Sequence, residues 1–239
     1  PRSNISLYGD TAQMSVAHRL GVNIALGTDW IYTGSMNMQR ELKCADDWNS
    51  NYLDGYFSDR ELWQMATINA ARGAAMDDAL GQLAVGLVAD IAIYDASVDS
   101  DHRAVIDASA DDTLLVMRRG ELLYGDTTLV ADLGGTNCDE LDVCGRTRRV
   151  CAMSDIGQSL SDLQAANSGR YPLFFCDVPT DEPTCVPSRG DAWIKNGSNA
   201  YYDTATAGDP DGHGIDYAVD NCPAVFNPIR PLDNGVQAD

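Results

Sequence analysis

The segment Val22-Asn23-Ile24-Ala25-Leu26-Gly27-Thr28-Asp29 constrains the fold more than any other stretch of the chain. It is short and apolar and closes on a small residue and a carboxylate, which is how a parallel strand covered on both faces reads. Such a strand needs helices around it, and the flanking sequence supplies them. Ala12, Val16, Ala17 and Leu20 fall at helical spacing over 11–20, and Gly21 follows at the C-cap position. A second helix is predicted over 36–48. A third opens at Ser58-Asp59-Arg60-Glu61, where Ser58 and Glu61 have capping-box spacing and Leu62, Met65, Ala66 and Ala70 form the inner face. The expected class is α/β.

Near residue 80 helices give way to sheet. Residues 89–94 read as a strand, and 113–117 and 121–124 flank Arg118-Arg119-Gly120 as the two arms of a hairpin. Beyond about residue 132 periodic apolar stretches thin out and Gly, Pro, Asp, Asn and Cys take over, so order there must come from covalent links or bound ions as well as from a core.

Cysteine placement agrees with that division. Cys44 stands alone in the first part, whereas Cys138, Cys144, Cys151, Cys176, Cys185 and Cys222 share the loop-rich remainder without a CxxC pair. That pattern points to disulfides rather than zinc, and so to export: a secreted, periplasmic or cell-surface protein. The sequence does not choose among the pairings. Asn196-Gly197-Ser198 fits a glycosylation sequon, which implies an exposed loop.

A formal net charge of -20 repels phosphate backbones and anionic headgroups, which excludes nucleic acid as a natural partner. No apolar run reaches the roughly 20 residues of a membrane span. The start, Pro1-Arg2-Ser3-Asn4, has no Met, basic region or apolar leader, and both ends read as cut from something longer.

Asp29 is the sharpest candidate for chemistry. A carboxylate just past a buried parallel strand stands where α/β folds build their sites, able to ligate a metal or take a proton from bound water. The same position also suits a carboxylate that merely caps the following loop.

The residues around it resemble a known family. Pro1-Arg2-Ser3-Asn4, Leu7-Tyr8-Gly9, Gly21 through Asp29 and Gly34-Ser35-Met36-Asn37 occur in the order of the last barrel strands of the amidohydrolase superfamily, in its cytosine-deaminase-like and triazine-hydrolase-like branch. The pattern there is a Pro-x-Ser-Asn turn, a helix, a strand ending in Leu-Gly-Thr-Asp, then a loop and a helix containing a Glu, here Glu41. The resemblance continues through Ala66-Thr67-Ile68-Asn69-Ala70-Ala71-Arg72, Leu80-Gly81-Gln82-Leu83, Gly86-Leu87-Val88-Ala89-Asp90 and Val116-Met117-Arg118-Arg119-Gly120.

This resemblance implies a (β/α)8 barrel whose final strand delivers Asp29 as ligand to a zinc or iron ion and as proton shuttle for the hydroxide it activates. The reaction implied is hydrolysis of a non-peptide carbon–nitrogen bond in a small-molecule substrate. Ser3, Asn4, Trp30 and Ser35 would stand near the mouth, as substrate contacts or as loop-shaping residues. The family's His-x-His and further histidines belong to positions upstream of Pro1. The chain's three histidines, His18, His102 and His213, match no ligand position and read as surface or packing residues. The fragment alone is therefore expected to be inactive and to need the missing N-terminal half of the barrel. An unpaired sheet edge would also favour self-association.

The tail carries a second resemblance. Asp209-Pro210-Asp211-Gly212-His213-Gly214-Ile215 followed by Asp220-Asn221-Cys222-Pro223 is similar to a thrombospondin type 3 calcium repeat, with Asp209, Asp211 and Asp220 as matching ligands. His213 sits where an Asp is usual, Tyr217 replaces another with Asp216 one residue early, and Asp233 and Asp239 resemble the start of a further repeat. A solvated acidic tail is the alternative.

The expected organisation is thus the C-terminal portion of a (β/α)8 barrel over 1–80, a small β-sandwich portion over 81–131, a Cys-rich irregular region over 132–207 and a calcium-repeat-like tail over 208–239. The rival is a calcium-binding extracellular structural or surface protein built on a degenerate hydrolase scaffold.

Overall fold

The computed structural model describes residues 1–170, 172–187, 206–223 and 237. The sequon at Asn196 and the acidic residues Asp233 and Asp239 lie outside them. The chain divides into two compact units, one formed by Pro1–Gly73 with Asp181–Asp239 and the other by Ala74–Thr180.

The first unit is helical. Its helices are α1 (Arg2–Tyr8), α2 (Met14–Arg19), α3 (Met38–Tyr52), α4 (Asp59–Ala66) and α5 (Ile68–Gly73). The expected Pro-x-Ser-Asn turn is instead the opening of α1, with Ile5 N donating to Pro1 O at 2.9 Å. Asn37 caps α3 by accepting from Arg40 N at 2.9 Å. Leu42, Ala45, Trp48, Asn49 and Tyr52 then recur at three- and four-residue spacing on its buried face. Ile5 of α1 meets Trp48 and Tyr52 there. Buried Asn49 clips the turn out of α3, donating to Phe57 O and accepting from Phe57 N, each at 2.8 Å.

The capping box predicted for α4 is formed: Ser58 N donates to Glu61 Oε2 at 2.8 Å, and Glu61 N to Ser58 Oγ at 3.4 Å. Leu62 and Met65 are buried as expected. The helix then breaks at Thr67, and because α5 restarts at a new angle the buried face continues through Ile68 and Ala71 instead of Ala70.

The strand predicted over 22–29 is not a strand. Among the described residues it joins no ladder, and Leu26 N donates to Met65 O of α4 at 2.9 Å. Its burial alternates, with Ile24, Leu26 and Thr28 turned inward and Asn23, Ala25 and Gly27 exposed. The segment lies on helices with one face, whereas a parallel strand needs paired neighbours along both edges.

The second unit is one five-stranded antiparallel sheet of order β1-β2-β3-β5-β4, built from β1 (Ile91–Tyr94), β2 (Thr113–Arg118), β3 (Glu121–Asp126), β4 (Asp139–Val143) and β5 (Arg146–Val150). The first three strands stand where the sequence places a strand and a hairpin. The β2–β3 turn pairs Arg118 with Glu121. A helix, α6 (Asp101–Ile106), lies between β1 and β2, and α7 (Thr127–Asp132) packs on the sheet through Val130 against Leu115 and Cys151. Two short helices, α8 (Ala152–Ile156) and α9 (Leu160–Ala166), follow.

The β4–β5 hairpin corrects the expectation that the Cys-rich region is irregular. Its turn places Cys144 at φ 57° and Gly145 at φ 83°, the positive pair that a two-residue type I′ turn requires. Cys138–Cys151 joins the hairpin's two open ends, and Cys144–Cys176 anchors its tip. The third disulfide, Cys44–Cys185, ties residue 185 to α3 in the first unit, so Cys222 is the unpaired cysteine. No described helix is long and apolar enough to cross a membrane.

Candidate functional site

Asp29 stands in the bend that ends the extended segment, at φ 56°, a left-handed conformation uncommon for a non-glycine residue. Ser3, on the first turn of α1, donates from Oγ to Asp29 Oδ2 at 2.6 Å. Thr33 Oγ1 lies 2.8 Å from the same serine oxygen. A serine hydroxyl has one proton, and a carboxylate can only accept, so Thr33 donates to Ser3 and the order of donation is Thr33 to Ser3 to Asp29. Oδ1 of Asp29 makes no hydrogen bond among the described residues.

The bend is held from behind. Thr33 N and Gly34 N both donate to Trp30 O, at 3.0 and 2.6 Å. Gly34 sits so close to the Thr28 backbone that a Cβ would lie 1.7 Å from Thr28 O. Only glycine allows that approach, and the approach fixes the carbonyl immediately before Asp29.

Asp29, Ser3 and Asn4 line a cavity of about 160 Å³ whose other walls include Ile24, Leu26 and Leu62. A small apolar pocket with a few convergent polar groups is the form of a ligand site, although this one falls below the roughly 300 Å³ usual for drug-sized ligands.

The other sequence-predicted residues go to different places. Asn4 turns its amide to Thr11 Oγ1 at 3.2 Å, inside the cavity wall. Trp30 is 58% exposed and meets Tyr32 edge to face at 4.8 Å between centroids. Ser35 does not join Asp29. It is buried, accepts from Arg2 Nε at 2.7 Å and donates to Glu41 Oε2 at 2.5 Å. Glu41 is buried as well, and Arg2 reaches on to Glu182 at 3.3 Å, where Arg40 makes a two-pronged bond with the same carboxylate. The hydrogen bond from Arg40 to Glu182 holds the arginine's pKa above its ordinary value. Ser35, Glu41 and Arg2 thus brace α1 against α3, behind the cavity.

The residues around Asp29 do not by themselves fit a divalent metal. Among the described residues, Asp29 belongs to no convergent group of three or more His, Cys, Asp and Glu side chains. His18 is engaged elsewhere, with Nδ1 3.0 Å from Tyr56 Oη and its ring edge-on to Phe57.

One such group does occur, at Asp209, Asp211 and His213. Of the two expected placements of His213, at the surface or in packing, the first is corrected here: its side chain is fully enclosed and ringed by carboxylates. Nδ1 lies 2.9 Å from Asp211 Oδ1 and 3.3 Å from Asp209 Oδ1, and Nε2 lies 3.4 Å from Asp220 Oδ1. The turn is held by Asp209, which accepts from Gly212 N at 3.0 Å and Gly214 N at 2.6 Å. Burial, opposed by His213, raises the Asp211 pKa to about 6. Thr33 and Gln237, the latter donating to Asp220 Oδ1 at 2.6 Å, are contributors that no sequence pattern indicated.

Comparison with known proteins places these features in context. Over 105 residues the chain is 35% identical to a 5-methylthioadenosine/S-adenosylhomocysteine deaminase of Thermoanaerobacter pseudethanolicus, covering 43% of this chain and 24% of the relative. A protein of the same description from Teredinibacter turnerae is 35% identical over 102 residues, 40% of this chain and 22% of its own length. The chain spans less than a quarter of the length of these curated relatives. Among solved structures, a zinc-bound adenosine deaminase from Xanthomonas campestris superposes with a TM-score of 0.47 at 23% identity, covering 56% of this chain and 34% of that one. The guanine deaminase of E. coli gives 0.45 at 24%, covering 52% and 32%. Residues 1–123, which hold Asp29 and everything that positions it, match the amidohydrolase family, and the chain belongs to that family.

Proposed function

We propose that this chain is the C-terminal part of a metal-dependent hydrolase that acts on non-peptide carbon–nitrogen bonds, of the deaminase type, with Asp29 as its contribution to the reaction centre. The observation that carries the reading is the Ser3–Asp29 hydrogen bond at the wall of a small cavity, inside the segment that matches the family. Ser3, backed by Thr33, fixes one carboxylate oxygen and leaves the other without a hydrogen bond among the described residues. In that role Asp29 would help to hold the metal, together with ligands from outside the described residues, and would be the base nearest its water; a zinc or iron ion would supply polarisation and a lowered water pKa. The remaining ligands would come from outside the residues described. The relatives' descriptions point to aminopurine nucleosides as the first substrates to try.

The test is ammonia release from 5-methylthioadenosine and adenosine by a complete enzyme containing this chain, with and without Asp29→Asn. Loss of about 100-fold or more in kcat in the variant supports the role. Unchanged turnover would remove Asp29 from the chemistry. The isolated chain is expected to release no ammonia.

Three disulfides support export to an oxidising compartment. A second, cation-binding role rests on the convergence of Asp209, Asp211 and Asp220 around His213. Three carboxylates taken alone would favour calcium.

A further inference from the structure

We infer that Asp209, Asp211 and His213 form a binding site for a first-row transition dication of the zinc type, with Asp220 beside the histidine. The site is separate from the one at Asp29 and does not depend on the hydrolase reading.

Two independent observations point to a missing cation. The first is the donor set: two carboxylates and one imidazole offer ligand atoms that all lie within 4.8 Å of one another. The second is that Oδ2 of Asp211 and Oδ2 of Asp220 are both buried with no hydrogen-bond partner. Asp211 and His213 are each only 1% exposed. Three carboxylates at one enclosed point carry more negative charge than one imidazolium can offset, and among the described residues their ion pairs all go to His213. Buried carboxylates without compensation are disfavoured, and a divalent ion provides it. The field of the pair extends to α3, where burial first, and then Asp211 and Asp209, push the Tyr52 pKa up.

His213 decides the class of ion. Calcium takes six to eight oxygens and has little use for imidazole nitrogen, whereas zinc, iron and nickel bind it well. Nδ1 faces the two candidate carboxylates. Nε2 has two neighbours, the Gln237 amide nitrogen at 2.8 Å and Asp220 Oδ1 at 3.4 Å, the latter itself bonded by Cys222 N at 2.9 Å. A metal on Nδ1 selects the tautomer with its proton on Nε2; the Gln237 amide nitrogen, which can only donate, would then turn aside and leave Asp220 to accept that proton. That is the carboxylate–histidine–metal relay by which ligating histidines are held. The Asp209 turn is already fixed by Gly212 N and Gly214 N, so this donor needs little rearrangement.

The test uses the full 239-residue chain, stripped of metal, with Zn²⁺ alone, Ca²⁺ alone, and the variants His213→Ala and Asp29→Ala. Expected are about one equivalent of Zn²⁺ with a rise in melting temperature, the same in Asp29→Ala, and binding weakened roughly 100-fold or more in His213→Ala. Zinc-edge X-ray absorption on the unaltered chain should show imidazole scattering, a readout that stands even if His213→Ala does not fold. Binding of Ca²⁺ in preference to Zn²⁺, zinc without imidazole scattering, or zinc lost in Asp29→Ala but kept in His213→Ala would overturn the assignment. Failure here leaves the Asp29 reading intact, because that reading is judged on ammonia release.

Discussion

Ser3 and Asp29, 26 positions apart in sequence, are joined by a 2.6 Å hydrogen bond in which the serine donates to one carboxylate oxygen. The serine receives its own bond from Thr33, so its rotor is fixed and the carboxylate inherits that orientation. Ser3→Ala should therefore act through Asp29. In the complete enzyme a 10- to 100-fold fall in kcat is expected, the usual range for losing a partner that orients a ligand, with KM little changed. In the isolated chain the cost in stability should be about 1 kcal/mol, the net value of one hydrogen bond. Steady-state kinetics and urea unfolding measure the two effects separately, and Ser3→Thr, which keeps the hydroxyl, should recover most of the rate.

Gly34 sets the bend from the other side. A methyl group there would lie 1.7 Å from Thr28 O, and the atom it meets is backbone, which cannot swing away as a side-chain tip can. Gly34→Ala is expected to lower stability by roughly 2 kcal/mol or more and to shift the loop that carries Asp29. Thermal unfolding would show the first effect. A control at Gly27, where nothing stands within 4 Å and φ is not positive, separates crowding from any general penalty of replacing glycine.

How much of this was legible in the sequence depends on how local the signal was. The α4 cap was readable because Ser58 and Glu61 satisfy each other within four residues. The β2–β3 hairpin was readable because its turn residues adjoin its arms. The segment over 22–29 was misread because apolarity does not say what covers a chain, and here helices replace neighbouring strands. The β4–β5 hairpin was hidden by its polar strands, Asp139–Val143 and Arg146–Val150, whose ladder is supported by cysteine links and not by an apolar face. Asp29 was singled out through the order of motifs around it, and it stands beside Ser3 at the wall of a cavity. Thr33 and His213 were missed since neither a loop hydroxyl nor a lone histidine carries any period.

The α4 cap gives a pH dependence with a definite sign. The Ser58 hydroxyl and then the Ser58 backbone N–H bond the Glu61 carboxylate and hold its pKa below the ordinary carboxylate value. A carboxylate depressed in the folded state adds stability above its unfolded pKa and loses it as pH falls through the folded value. The Ser58→Ala variant should thus be less stable than the unaltered chain by about 1 kcal/mol near pH 7. The gap should narrow below about pH 4.5, as Glu61 protonates and the cap weakens in both proteins. Glu61 is partly exposed, so salt should reduce the electrostatic share of the gap and leave the hydroxyl's own bond to the helix. Denaturant titrations of both proteins from pH 7 to pH 3 test this; a gap that widens on acidification would contradict it.

Cys44 is the one cysteine outside the C-terminal set, and it is the one that reaches furthest, pairing with Cys185 across 141 positions. Arg40, on the same helix, holds Glu182, so the two bonds together fasten residues 182–185 to α3. In the chain-entropy picture a closed loop of that length restrains the unfolded state by about 5 kcal/mol. Cys138–Cys151 and Cys144–Cys176 fall inside the loop and shorten its effective length, so the variant Cys44→Ser with Cys185→Ser should lose less, about 2 to 4 kcal/mol. Glu182→Gln in the intact disulfide background should cost less again, because the covalent link still holds the segment in place. Peptide mapping without reductant provides the direct check. It should recover residues 44 and 185 in one linked pair and find Cys222 alkylated by a thiol reagent added to the unreduced protein. A linked peptide containing Cys222 would overturn this pairing, and with it the attachment of residues 182–185 to the helix that carries Glu41.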